Sequence, residues 1–211
     1  AARGVLAAGG QLNNGTVLSS AEIYDPSTSS WNFVGSMKSP HFNHTATLLP
    51  SGKVLVTGGS SVGAANSELG STAIAVVEVF DPATNQWTQL GSMKASRQQH
   101  TATLLPNGSL LIAGGILTSS STTAIITAEI YNPTTGESVL TASMNNPRYN
   151  HSASLLPSGK VLVLGGPRGI VFTAANYVGT AELFDPATGQ WAKTSVDPPF
   201  RRRHTANVLP N

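Results

Sequence analysis

Four histidines recur in one setting, at His44, His100, His151 and His204. Three residues before them stand His41, Arg97, Arg148 and Arg201. Four equivalent imidazoles could ring a metal ion, and four cations could hold an anionic ligand. Metal–nitrogen bonds of about 2 Å require the ligands to converge, whereas equivalent positions of a repeated scaffold stand apart. No metal site is therefore expected. Each repeat also supplies one carboxylate, at Glu22, Glu78, Glu129 and Glu182. A Glu facing each Arg or His would neutralise both in a chain with only 10% charged residues, because a buried charge must be paired. This recurrence predicts a scaffold role for the four Glu and the four repeat histidines. His41 breaks the Arg pattern and is expected to be dispensable to the fold.

Function is expected where the copies disagree. The segments opening the repeats read "HFNH", "RQQH", "RYNH" and "RRRH". Their candidate ligand-binding residues are His41, Phe42, Arg97, Gln98, Gln99, Arg148, Tyr149, Arg201, Arg202 and Arg203. Arg168, in "PRG", lies in a variable loop and could add to this basic rim. Amides, cations and an aromatic ring suit a polar ligand such as a glycan or an acidic protein segment. Chemistry has little material here. Cys is 0, which removes thiolate ligands and a cysteine nucleophile. No Gly-rich phosphate loop, Ser nucleophile elbow or His-Glu metalloprotease pattern is present. Outside the repeats only Glu68, Glu137 and Asp197 remain, dispersed along the chain. No catalytic residue and no cofactor is predicted.

The elements behind these residues follow from spacing. "HTATLLPSGKVLVTGG" at His44 returns as "HTATLLPNGSLLIAGG" at His100 and "HSASLLPSGKVLVLGG" at His151, and restarts as "HTANVLPN" at His204. Each diglycine is followed by "AEIYDP", "VEVFDP", "AEIYNP" or "AELFDP". Nine residues after the Glu come Trp31, Trp87, Ser138 and Trp191, and the repeat His stands 13 residues further on in every copy. Only the gap from diglycine to Glu varies: 12, 19, 14 and 16. Fixed spacing marks packed strands and tight turns; free spacing marks a surface loop. Each repeat reads as four short strands, with a Ser-Gly or Asn-Gly turn after the first and an Asp-Pro or Asn-Pro turn after the third. No helical period runs over a useful length. Tandem four-stranded units of about 50 residues are the pattern of a β-propeller.

The diglycine, the aromatic-Asp-Pro, the Trp after the Glu and the Arg-x-x-His resemble the kelch repeat over essentially the whole chain. The wording is similar to the secreted bacterial and invertebrate variety and to the propeller of galactose oxidase. The resemblance implies an all-β propeller and, from that wording, a secreted or extracellular setting. It implies no activity. The copper centre of galactose oxidase uses a Tyr joined to a Cys, and cannot form without cysteine. One domain is expected over 1–211, with repeats at about 1–50, 51–106, 107–157 and 158–211. The start at a second strand and the end at a first strand predict four blades, with residues 204–211 pairing beside residues 4–10. The alternative is part of a larger propeller.

The net charge of +2 gives no basic nucleic-acid surface, and no run of about 20 apolar residues suggests a membrane span. The expected function is a non-catalytic binding module whose variable loops meet a glycan or protein ligand. A structural subunit of an extracellular assembly and the propeller portion of a secreted carbohydrate-active enzyme are the alternatives. Asn14, in the first variable loop, is the candidate glycosylation acceptor.

Overall fold

The structure, a computed structural model, describes residues 4–63, 71–118, 124–169, 179–195, 199–201 and 204–209. Among them are fifteen strands in four antiparallel sheets and no helix. The first sheet holds β1 (Val5–Ala8), β2 (Ser20–Asp25) and β3 (Ser30–Ser36). The second holds β4 (Thr45–Leu48), β5 (Val54–Thr57), β6 (Val77–Asp81) and β7 (Gln86–Gln89). The third holds β8 (Thr101–Leu104), β9 (Leu110–Ala113), β10 (Ala128–Asn132) and β11 (Glu137–Leu140). The fourth holds β12 (Ser152–Leu155), β13 (Val161–Leu164), β14 (Ala181–Asp185) and β15 (Gln190–Lys193). Each sheet is a meander in chain order. These are four blades of a β-propeller.

The fixed spacings are strand registers. The nine residues from Glu to Trp make a hairpin whose aromatic pairs are Tyr24 with Trp31, Phe80 with Trp87 and Phe184 with Trp191. The rings stack at centroid distances of 5.3, 5.1 and 5.0 Å. The turn before each Trp is closed by its Asp: Asp81 Oδ1 accepts from Ala83 N at 2.9 Å, and Asp185 Oδ1 from Ala187 N at 3.0 Å. The middle strands are apolar runs because both their faces are covered.

The core lies between blades. Ala21, Val34 and Met37 of the first blade pack with Val56, Phe80 and Trp87 of the second. Leu55, Val77 and Met93 meet Leu110, Ile112 and Tyr131 across the next junction. Leu111, Ala128 and Met144 meet Val161, Val163 and Phe184 across the third. The second, third and fourth blades thus each bury one face against the blade before them, as repeat architectures do.

Two sequence expectations are corrected here. The first sheet has three strands: β1 pairs only with β2, residues 204–209 form no strand, and Leu209 is 79% exposed. Among the described residues the fourth strand expected from 204–211 beside 4–10 is not formed. His204 Nε2 lies 2.9 Å from Ser152 Oγ and Arg201 O accepts from Gly166 N, the contacts that the other linkers make with the blade before them, so Arg201 and His204 stay on the fourth blade and none of residues 204–209 pairs with β1. The second correction concerns the first copy of the scaffold residues. Trp87 is buried, but Trp31 is 54% exposed, and Glu22 is exposed with no hydrogen-bond or ion-pair partner among the described residues. Both sit on the face that the other blades cover with a preceding blade, and no described residue covers it here. Among the described residues no helix is long and apolar enough to cross a membrane.

Candidate functional site

The segment between blades is built on the diglycine. Gly59 N donates to Arg97 O at 2.9 Å, Gly115 N to Arg148 O at 2.9 Å and Gly10 N to His41 O at 2.8 Å. The first glycine of each pair has positive φ, +59° at Gly58 and +67° at Gly114. A Cβ on Gly114 would stand 2.4 Å from Arg148 O and 2.8 Å from His151 Cε1. The linker backbone can approach only where no side chain intervenes. Gly114→Ala is expected to destabilise by about 1–3 kcal/mol through the backbone conformation alone, and further through the collision. Chemical denaturation would check this; an unchanged midpoint would contradict it.

Each linker side chain then reaches into the blade it opens. Arg97 Nη1 donates to Gly114 O at 2.7 Å, and its Nε and Nη2 bind Glu129 Oε1 at 3.1 and 2.8 Å. Arg148 repeats this on Gly165 O and Glu182, both at 2.8 Å. In the second blade His41 does the same work: Nδ1 lies 2.7 Å from Gly58 O and Nε2 3.2 Å from Glu78 Oε1. His41 is wholly buried, so the expectation that it is dispensable to the fold is corrected. The carboxylates also accept backbone N–H groups, Lys38 and Ser39 on Glu78, Lys94 on Glu129, and Asn145 and Asn146 on Glu182. Burial alone would raise Glu182. The bonds from Asn145 and Arg148 outweigh it and hold this carboxyl below its ordinary range. In the third blade Ser138, standing where the others have Trp, donates its hydroxyl to Glu129.

The repeat histidines face the neighbouring blade. His100 Nε2 lies 3.1 Å from Thr57 Oγ1, and His151 Nε2 2.9 Å from Thr101 Oγ1. Among the described residues Nδ1 of His100, His151 and His204 has no hydrogen-bond partner. Burial, with Arg148 nearby, pushes His151 down to about 3, and burial, with His41 nearby, pushes His44 down to about 4. His100 is also driven well below its ordinary value, first by burial. Among the described residues no three His, Asp or Glu side chains gather to hold a metal.

The candidate binding residues separate accordingly. His41, Arg97, Gln98 and Arg148 are 0% exposed and Tyr149 is 5% exposed. They cannot meet a ligand as a rim, which corrects that expectation: their side chains are enclosed in the scaffold. Gln98 is tied to Ser71, whose Oγ donates to its Oε1 at 3.0 Å. Phe42 and Gln99 are half-buried, and Arg201 is exposed. Arg202 and Arg203 lie outside the described residues.

The same row does join the variable loops, as the sequence suggests. Phe42 pairs through its backbone with Ser60, Gln98 with Ile116, and Tyr149 N donates to Pro167 O at 3.2 Å. Neighbouring loops also bind each other: Ala73 N donates to Leu117 O at 2.7 Å and Ala124 N to Arg168 O at 2.6 Å. These loop–loop contacts carried no sequence signal, because the loops share neither length nor wording. Arg168 is exposed, with Nη2 donating to Asn146 Oδ1 at 2.8 Å. Asn146 was not anticipated as a support. Asn14 is exposed in a turn, its side-chain oxygen accepting from Thr16 N at 3.0 Å.

Antiparallel blades linked through diglycines and buried cation–Glu clasps define a β-propeller scaffold. A family model described as "Kelch motif" matches residues 4–38 and 43–94. The chain carries this match over its first two blades. It is similar to Kelch-like protein 15 of Mus musculus, 27% identical over 191 residues, which is 82% of this chain and 29% of that protein. It is also similar to Kelch-like protein 25 of Xenopus tropicalis, 24% identical over 189 residues, 90% of this chain and 30% of that protein. Kelch-like protein terF of Aspergillus terreus is 26% identical over 190 residues, 88% of this chain and 40% of that protein. The chain therefore spans well under half the length of these relatives.

Proposed function

We propose that this chain is a non-catalytic protein-interaction module, and that its loop face binds an acidic segment of a partner protein. The observation that supports this is the division of labour among the charges. The carboxylates near the linkers of the last three blades, Glu78, Glu129 and Glu182, are enclosed by their clasps, while Arg168 and Arg201 stand exposed without a carboxylate among the described residues. Among the described residues the loop face is thereby left positive. The described ends of the loops are tied to the linkers and to each other, Phe42 to Ser60, Gln98 to Ile116 and Ala73 N to Leu117 O, so these positions are organised before a ligand arrives. The setting we propose is extracellular, in keeping with the repeat wording; the exposed Asn14 turn would be open to glycosylation there.

The test is an array of short peptides of graded Asp/Glu content, with neutral and sulfated glycans on the same surface, probed with the 211-residue chain. Retention should rise with peptide acidity and fall with salt, as screening of exposed charges requires. Retention of neutral glycans alone would replace the proposed ligand with a carbohydrate. No retention of any acidic peptide would overturn the reading.

A further inference from the structure

The positive charge on the loop face is not evenly spread. Of the 12 Lys and Arg in the chain, Arg148, Arg168, Arg201, Arg202 and Arg203 belong to the linkers and loop of the fourth blade. Arg148 is neutralised by Glu182. Arg168 and Arg201 are not neutralised by any described carboxylate. Asp185, the other described carboxylate of this blade, pairs with Lys160 at 3.0 Å at the end of β14.

Both free guanidiniums hang from one diglycine. Arg168 follows Gly166 by two residues, and Gly166 N donates to Arg201 O at 3.0 Å. The Arg168 head is steered by Asn146, which is itself fixed on both sides: its N donates to Glu182 Oε1 at 3.0 Å and its Nδ2 to Thr180 Oγ1 at 3.1 Å. Asn146 is 8% exposed, so the support is rigid. One nitrogen of Arg168 is thus anchored, and the remaining donors have no partner among the described residues. Among the described residues Arg201 makes one bond, from Nε to Pro199 O at 3.4 Å, and its terminal nitrogens have no partner. A guanidinium held by one corner with a free edge is suited to a carboxylate, which it meets through two parallel bonds. Ile116, Ala124 and Tyr149 form a small apolar cluster, joined to this loop where Ala124 N donates to Arg168 O at 2.6 Å.

Resting on the proposed function, we infer that the diglycine Gly165–Gly166 carries the specificity site of the loop face. Arg168 and Arg201 together read carboxylates of an acidic protein segment, and Asn146 positions Arg168. The buried Arg97 and Arg148, which share the repeat position of Arg201, take no part in recognition.

The experiment measures retention of the most acidic peptides of the array by four forms of the 211-residue chain: unaltered, Arg168→Glu, Arg201→Glu and Lys193→Glu. Lys193 is exposed on β15, outside the linkers and loops, and controls for net charge. Each reversal should lower retention at least tenfold, while Lys193→Glu should lower it less than twofold and thermal unfolding should remain within a few degrees. Asn146→Ala should weaken the Arg168 contribution, so that combining it with Arg168→Glu adds less than either change alone. If Arg168→Glu and Arg201→Glu bind as the unaltered chain does, the specificity site is overturned while the binding function stands. If Lys193→Glu loses binding equally, recognition is a net-charge effect and the site is overturned as well. If the unaltered chain retains no acidic peptide, both readings fail.

Discussion

Glu129→Ala is expected to cost about 3–5 kcal/mol, the range for breaking a buried ion pair by removing one partner. Against a total stability of about 5–15 kcal/mol for an ordinary domain, this leaves the chain at the edge of folding. Three groups lose their acceptor together: Arg97 Nε and Nη2, Lys94 N and the Ser138 hydroxyl. Arg97 is 0% exposed, so water does not take the place of the carboxylate. Glu22→Ala, at the equivalent position of the first blade, should change stability by less than about 0.5 kcal/mol, as an exposed residue away from any network does. Denaturant titration of the two variants checks the contrast. Equal costs would mean that the first blade is clasped like the others. Replacing Arg97 and Glu129 together by Met should cost less than Glu129→Ala, since no charge is left buried alone.

The second large effect is acid lability from neutral pH downward. His44 and His151 are held neutral, with values pushed to about 4 and about 3 from an ordinary 6.5. His100 moves in the same direction. A histidine whose folded value is depressed contributes stability that is present above its unfolded value and is lost as pH falls below it. Loss therefore begins near pH 6.5, where the unfolded chain takes up protons that the folded chain refuses, and continues toward pH 3–4. Glu78 and Glu182 are held below 4.5, and extend the loss below that value. Each unit of separation is worth about 1.4 kcal/mol before relaxation and water entry reduce it, so the sum over the window is several kcal/mol. The chain should unfold at a clearly lower denaturant concentration at pH 5 than at pH 7.5. His151→Gln should flatten that slope, at the cost of some stability at neutral pH. A midpoint independent of pH between 7.5 and 5 would show the histidines solvated.

The scaffold was legible because repetition exposes it. The invariant distances from Glu to Trp and from Trp to His are strand registers, and the diglycine is a place where backbone must touch backbone. Glu and Arg recurring together in a weakly charged chain pointed to the clasp found at Glu129 and Glu182. The errors share one cause. Sequence equivalence was read as equivalence of environment, but a repeat residue is buried by its neighbour blade, not by its own. Glu22 and Trp31 have the repeat wording without a covering neighbour. His41 has different wording and the full set of neighbours, and it occupies the clasp as Arg does elsewhere. The candidate site was the least legible part. Arg97 and Arg148 read like Arg201 in the sequence, and only burial separates two buried clasps from an exposed cation. Asn146 as a support for Arg168 depends on a fold-back of 22 residues between segments of unrelated wording.

The measurement that tests the central claim most directly is hydrogen exchange of the chain with and without the most acidic peptide that it retains. Binding on the loop face at the fourth blade predicts slowed exchange at residues 146–150 and 166–169, with β3, β7, β11 and β15 unchanged. Protection confined to those outer strands, with the linker and loop of the fourth blade unaltered, would contradict it.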